Sequence, residues 1–217
     1  MAETMLDTST RILAIRHGET DWNRGSRIQG HIDIPLNEMG RLQARRLAEA
    51  LAGETLDVIY SSDLGRARET AAAVAAVTGA PLQLEPALRE RAFGAFEGLS
   101  FDEIAERWPE DSERWRKRDL SFAPPGGESI PLFYERCVPA VLRLAQAHPG
   151  RSIAVVAHGG VLDCLYRAGA RLALEAPRSW MLGNATINRL LYSPEGLTVV
   201  GWNDDFHLAN LSLDELT

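Results

Sequence analysis

Short apolar runs that stop abruptly alternate along this chain with longer stretches in which apolar residues recur every three or four positions. Residues 11–16 (RILAIR) read as a buried strand ended by His17-Gly18. Residues 37–52 carry Leu42, Leu47 and Leu51 at helical spacing, with Asn37 as N-cap and Gly53 as the stop. The unit then recurs: residues 57–61 (DVIYS) predict a second strand and residues 64–78 an alanine-rich helix closed by Gly79-Ala80-Pro81. A short strand follows at 81–84. Residues 152–157 (SIAVVA) form the most apolar strand pattern, again ended by a histidine and glycines (His158-Gly159-Gly160) before an apolar helix. Residues 186–192 and 197–202, separated by Ser193-Pro194-Glu195-Gly196, predict a terminal hairpin.

The middle of the chain is less regular. Ser100-Phe101-Asp102-Glu103 has the form of a capping box, which predicts a helix over about 100–108 with a further turn to 118. Residues 121–128 (SFAPPGGE) read as an irregular loop, and Ser129 caps a long helix to about 148. Strands alternating with helices imply an α/β fold: a three-layer α/β/α arrangement around a mostly parallel central sheet, with a small helical cap inserted at about 93–128. One domain over 1–217 is expected, with residues 1–10 as a flexible tail. Such sheets bind ligands beyond the carboxyl ends of their strands. Both His-Gly pairs stand at strand ends, so both imidazoles are expected on one rim.

Composition narrows the function. With 217 residues, 45% hydrophobic and 24% charged, the chain can bury one sizeable core. A formal charge of -7 argues against a general nucleic-acid or membrane-surface binder, because an acidic surface repels phosphate backbones. No apolar run approaches the roughly 20 residues needed to span a bilayer, and the first ten residues lack a secretory pattern. The only cysteines, Cys137 and Cys164, stand far apart and outside any CxxC pattern, which suits buried reduced thiols in the cytoplasm and offers no zinc site.

The candidate chemistry lies at the strand ends. In Arg16-His17-Gly18-Glu19-Thr20 an imidazole sits beside a guanidinium, and the glycine allows close backbone approach to a ligand. His158-Gly159-Gly160 repeats the arrangement. Residues 61–70 (SSDLGRARET) open a helix with two arginines, and a helix N-terminus with a guanidinium fork stabilises an anion. Of the two, Arg66 reads as a solvated helix face. Glu90, among apolar neighbours in LRERAFGAFEG, suits a general acid.

RHGETDWN, SDLGRARETA, LRERAFGAFEG and VVAHGG, in this order, resemble the histidine phosphatase superfamily, which includes cofactor-dependent phosphoglycerate mutases and many phosphatases. The resemblance runs from about residue 11 to 160, and NDDFHL at 203–208 is similar too. It implies His17 as nucleophile, Arg16, Arg68 and His158 as ligands of the transferred phosphoryl group, and Glu90 as proton donor to the leaving oxygen. It also implies phosphate contacts from Asn23, Gln29, Gly30 and the Gly159 amide. The chemistry needs no metal or cofactor, since arginines and a second imidazole neutralise the charge spread over the equatorial oxygens.

Within that family the chain is closer to the phosphatases. Where mutases have EXXYG and then a lysine, Phe93 and Phe101 remove a hydroxyl and a cation, and PPGGES at 124–129 is similar to phosphatase members. Trp115-Arg116-Lys117-Arg118 resembles the basic pair with which mutases hold a second acidic group. Phe93, Phe101, Trp115, Arg116 and Arg118 are therefore the candidate specificity residues. The expected function is hydrolysis of a small phosphorylated metabolite, releasing phosphate, by an enzyme of the histidine acid phosphatase type, with pairing of two copies through an apolar edge strand left open. The alternatives are a 2,3-bisphosphoglycerate-dependent mutase and a non-catalytic binder of phosphorylated ligands.

Overall fold

Apolar residues alternate in β1 (Thr10–Arg16) so that Ile12 and Ala14 face one side while Leu13 and Ile15 face the other, and helices cover both. This computed structural model describes residues 8–211. After β1 come α1 (Asp21–Arg24), α2 (Glu38–Leu51), β2 (Val58–Ser61), α3 (Gly65–Thr78) and β3 (Leu82–Leu84). Then follow α4 (Phe101–Arg107), α5 (Pro109–Arg116), α6 (Ile130–Gln146), β4 (Ser152–Ala157), α7 (Gly159–Ala170), β5 (Ile187–Ser193) and β6 (Gly196–Asp204). The sheet order is β3-β2-β4-β1-β5-β6, with the first four strands parallel and the β5–β6 hairpin antiparallel. The fold class read from the alternation of strands and helices is borne out.

One face of the sheet packs Ile12, Val58, Ile153 and Val155 against Phe133 and Val141 of α6 and Val161 and Leu165 of α7. The other packs Leu13, Ile15, Ile59 and Val156 against Leu47 and Leu51 of α2 and Ala67, Ala71 and Val74 of α3. The expected caps are present: the Asn37 side chain accepts from the Gly40 amide, and Gly79 ends α3 at φ +70°, a conformation that costs glycine little. Ser100 and Glu103 form the capping box of α4. Cys137 and Cys164 are free and buried. No helix among the described residues is long and apolar enough to cross a membrane.

Residues 1–7 of the expected tail lie outside the described residues, but the tail does not extend to residue 10. Thr10 opens β1 fully buried, and its hydroxyl lies 2.7 Å from the Ala145 carbonyl oxygen and 2.8 Å from that of His148, which ties the strand to the end of α6. The inserted segment carries its own apolar cluster of Phe96, Ile104 and Phe122, with Phe93, Trp108 and Trp115 packed on it.

Candidate active site

The register of the sheet brings the two histidines together. β1 and β4 are parallel neighbours with Arg16 opposite Ala157, and the His17 amide extends the ladder by donating to the Ala157 carbonyl at 3.0 Å. The residue after each strand is a histidine, so the rings emerge side by side with centroids 5.1 Å apart. β2 ends one strand further along, where Ser62 donates its amide to Val156 and sets its Oγ 2.9 Å from His158 Nε2. The single rim expected from the sequence is therefore formed.

His17 is 3% exposed, and its Nδ1 lies 2.7 Å from the Gly18 carbonyl oxygen. A carbonyl only accepts, so Nδ1 carries the proton and Nε2 keeps its lone pair. Burial, then the charges of Arg66 and Arg16, hold the His17 pKa well below its ordinary value, which keeps the ring neutral. His158 is depressed in the same way by burial, Arg66 and His17. The loop after His17 is fixed by its neighbours: the Gly18 amide donates to Thr70 Oγ1, and Asn184 Nδ2 donates to the His17 carbonyl. A Cβ on Gly18 would stand 2.4 Å from the Gly40 carbonyl oxygen, so only glycine fits there.

Arg16 donates through Nη1 to the Leu182 carbonyl, and burial lowers its pKa to about 10. Glu90 is held by two amides: Arg91 N donates to Oε1 at 2.8 Å and Gly160 N to Oε2 at 3.0 Å. At the start of α7 the Gly160 amide is thus committed to this carboxylate. The Glu90 carbonyl in turn accepts from Arg136 and lies 2.8 Å from His31 Nε2.

The arginine assignment requires a correction. Arg66, read from sequence as a solvated face, is fully buried, with Nη1 and Nη2 donating to the carbonyls of Ile32 and Gly30 at 3.0 and 2.8 Å. Arg68 is exposed and lines a separate surface groove with Asp33 and Glu69. Two residues apart on a helix, side chains point about 200° apart, so one arginine turned inward sends the other out. Val74, Thr70 and Arg66 are spaced by four and all buried, and stepping back from Val74 is the signal that would have found the inward one.

Arg16, His17, Asn23, Gln29, Gly30, Glu90 and Gly159 line one cleft of about 950 Å³ together with Arg66. Phe93, Phe101, Trp115, Arg116 and Arg118 line the same cleft from the cap side, with Phe101 stacked on Trp115 at 5.1 Å. His158 is fully buried beside the His17 ring and is not among the residues that line this cleft. The short helix α1 places Asn23: Thr20 and Asn23 form a reciprocal cap, and Asn23 Oδ1 also accepts from Asn184. Arg27, Arg91, Arg178 and Trp180 also line the cleft, and the sequence patterns do not single them out.

Residues 12–205 match the model of the histidine phosphatase superfamily, branch 1. The chain belongs to this superfamily. Histidine phosphatases similar to it include a metal-independent phosphoserine phosphatase of Arabidopsis thaliana, 38% identical over 93% of this chain and 84% of the relative. A phosphoglycerate mutase-like protein 4 of the same plant is 37% identical over 96% of this chain and 93% of its own. Among solved histidine phosphatase structures, a mycobacterial glucosyl-3-phosphoglycerate phosphatase bound to VO3 superposes with a TM-score of 0.80 at 34% identity, covering 91% of this chain and 99% of that one.

Proposed function

We propose that this histidine phosphatase hydrolyses a small phosphomonoester through a phosphohistidine on His17, as a phosphoric monoester hydrolase of the histidine acid phosphatase type. The observation that carries the reading is the fixed tautomer: Nδ1 is committed to the Gly18 carbonyl, and burial beside two guanidiniums keeps Nε2 unprotonated. In the first step His17 Nε2 attacks phosphorus, the ester P–O bond breaks, and Glu90 gives its proton to the departing oxygen. In the second, the Glu90 carboxylate takes a proton from water, whose oxygen attacks phosphorus. The P–N bond breaks, inorganic phosphate leaves and the imidazole is restored.

Arg16 and Arg66 supply the positive charge for the equatorial oxygens, with His158, whose Nδ1 is buried and free of any hydrogen bond among the described residues, as the neutral donor. Asn23, Gln29, Gly30 and Gly159 complete the phosphate wall. The relatives include both phosphatase and mutase-like proteins, and the apolar rings of Phe93 and Phe101 at the cap side favour hydrolysis over the retention of a second phosphorylated group. A phosphate-release screen over phosphorylated metabolites, beside a mutase assay with and without 2,3-bisphosphoglycerate, tests the choice. Hydrolysis exceeding isomerisation is expected, and bisphosphoglycerate-dependent isomerisation outpacing every hydrolysis would overturn it.

A further inference from the structure

Arg91 follows Glu90 directly, lines the same cleft and is 5% exposed. Its Nε donates to the Glu128 carbonyl at 2.8 Å, and its guanidinium carbon sits 5.4 Å from the centroid of the Phe93 ring. Neither Nη nitrogen has a hydrogen-bond partner among the described residues, and Nη2 is fully buried in that state. A buried guanidinium that uses one of its five N–H groups is poorly satisfied, and a ligand acceptor would repair this.

The other basic residues of this wall are placed differently. Arg118 is committed: Nε donates to the Leu174 carbonyl and Nη2 to Asp163 Oδ2 at 3.2 Å, a carboxylate that also accepts from Arg167. Arg116 is exposed. Burial lowers the Arg91 pKa to about 10, and Arg118 is close enough for its charge to act in the same direction.

We propose that Arg91 selects the substrate, reading a carboxylate a few bonds from the phosphate ester. This deepens the hydrolase reading and rests on it. Glu90 protonates the leaving oxygen, and Arg91 lines the same cleft with its guanidinium over Phe93 of the cap side, which puts it on the leaving-group side of the reaction. One planar fork matches one planar carboxylate in bidentate fashion. Of the cleft's basic side chains other than Arg16 and Arg66, which serve the transferred phosphoryl group, only Arg91 and the remaining Nη1 of Arg118 are sheltered from solvent, and a second phosphate dianion needs more sheltered donors than these.

The test uses matched esters: 3-phosphooxypropionate, propyl phosphate, which lacks the carboxylate, and propane-1,3-diol bisphosphate, which replaces it with phosphate. The wild type is expected to prefer the carboxylate ester over propyl phosphate by roughly 10- to 100-fold in kcat/KM, mostly through KM. Arg91→Met brings that ratio close to one, Arg91→Lys leaves an intermediate ratio, and Arg116→Ala leaves most of it. A purely structural Arg91 would lower both esters alike and keep the ratio, which overturns the proposal, as does a wild type that prefers the bisphosphate or shows no preference. Hydrolysis of p-nitrophenyl phosphate by the same wild-type sample separates the two levels. Activity there with no carboxylate preference sinks Arg91 alone, whereas no phosphate release from any ester sinks the hydrolase reading and this inference with it.

Discussion

The rings of His17 and His158 stand 5.1 Å apart and inclined at 59°, although 141 positions separate them in the chain (158 − 17), because each is the first residue beyond one of two paired parallel strands. Arg66 is close enough to both for its charge to be the largest influence after burial on the protonation of each ring. Arg66→Ala is expected to lower kcat/KM about 100-fold or more, as loss of a preorganised charge at a developing anion does. Arg66→Lys recovers only part, because it lacks the fork held by Gly30 and Ile32. Steady-state kinetics beside Arg68→Ala decide the assignment: an Arg68 variant as damaged as the Arg66 variant would return Arg68 to the phosphate.

Glu90 depends on a residue with no side chain. A Cβ on Gly160 would stand 2.1 Å from Glu90 Oε1 and 3.0 Å from the Phe133 ring. Gly160→Ala therefore displaces the carboxylate, and its kinetics should imitate Glu90→Gln: a loss of roughly 100-fold or more with alkyl phosphates and a much smaller one with p-nitrophenyl phosphate, whose leaving group needs little protonation. Equal losses for both substrate types would argue against Glu90 as the proton donor.

The parts of this molecule that were legible in the sequence are those governed by local rules. Strand runs, the Asn37 and Ser100 caps and the Gly79 stop all follow from backbone chemistry within a few residues, and each stands where its residues indicate. The meeting of His17 and His158 was legible as well, because two strand ends in one parallel sheet share a rim. The choice between Arg66 and Arg68 depends on which helix face meets the sheet, and in an alanine-rich helix only Val74 and Thr70 reveal it. Arg91 was illegible for a different reason. Its guanidinium is fixed by the Glu128 carbonyl, a contact from 37 positions away with no trace in LRERAFG.

Both buried imidazoles have pKa values below the ordinary 6.5, so the unfolded chain binds more protons than the folded one once pH drops below that value. Their contribution to stability is fully present above pH 6.5 and is lost as pH falls through the range beneath it. The Tm is expected to decline from pH 7 to pH 5, and a His17→Asn, His158→Asn double variant should show a shallower decline. An identical slope in the double variant would mean that the rings are as easily protonated in the fold as outside it. For the same reason, phosphoenzyme formation in a single turnover should not slow between pH 7 and pH 6.

The cap rests on Phe96, which is fully buried with Trp108 and Trp115 at 5.4 and 5.5 Å and Phe122 at 6.2 Å. Phe96→Ala is expected to cost about 3–5 kcal/mol by the cavity it leaves. Chemical denaturation measures this directly. The same variant should raise KM, since Trp115 and Phe93 line the cleft, and an unchanged KM at full occupancy of the fold would separate the cap from substrate binding.

The most direct measurement is to trap the covalent intermediate: the enzyme is quenched during turnover of a radiolabelled phosphomonoester and the labelled peptide is mapped. An acid-labile, base-stable phosphoramidate on His17, absent from a folded His17→Ala variant that has lost turnover, is the expected result. Sustained turnover by that variant, or label on any other residue, would contradict phosphoryl transfer through His17.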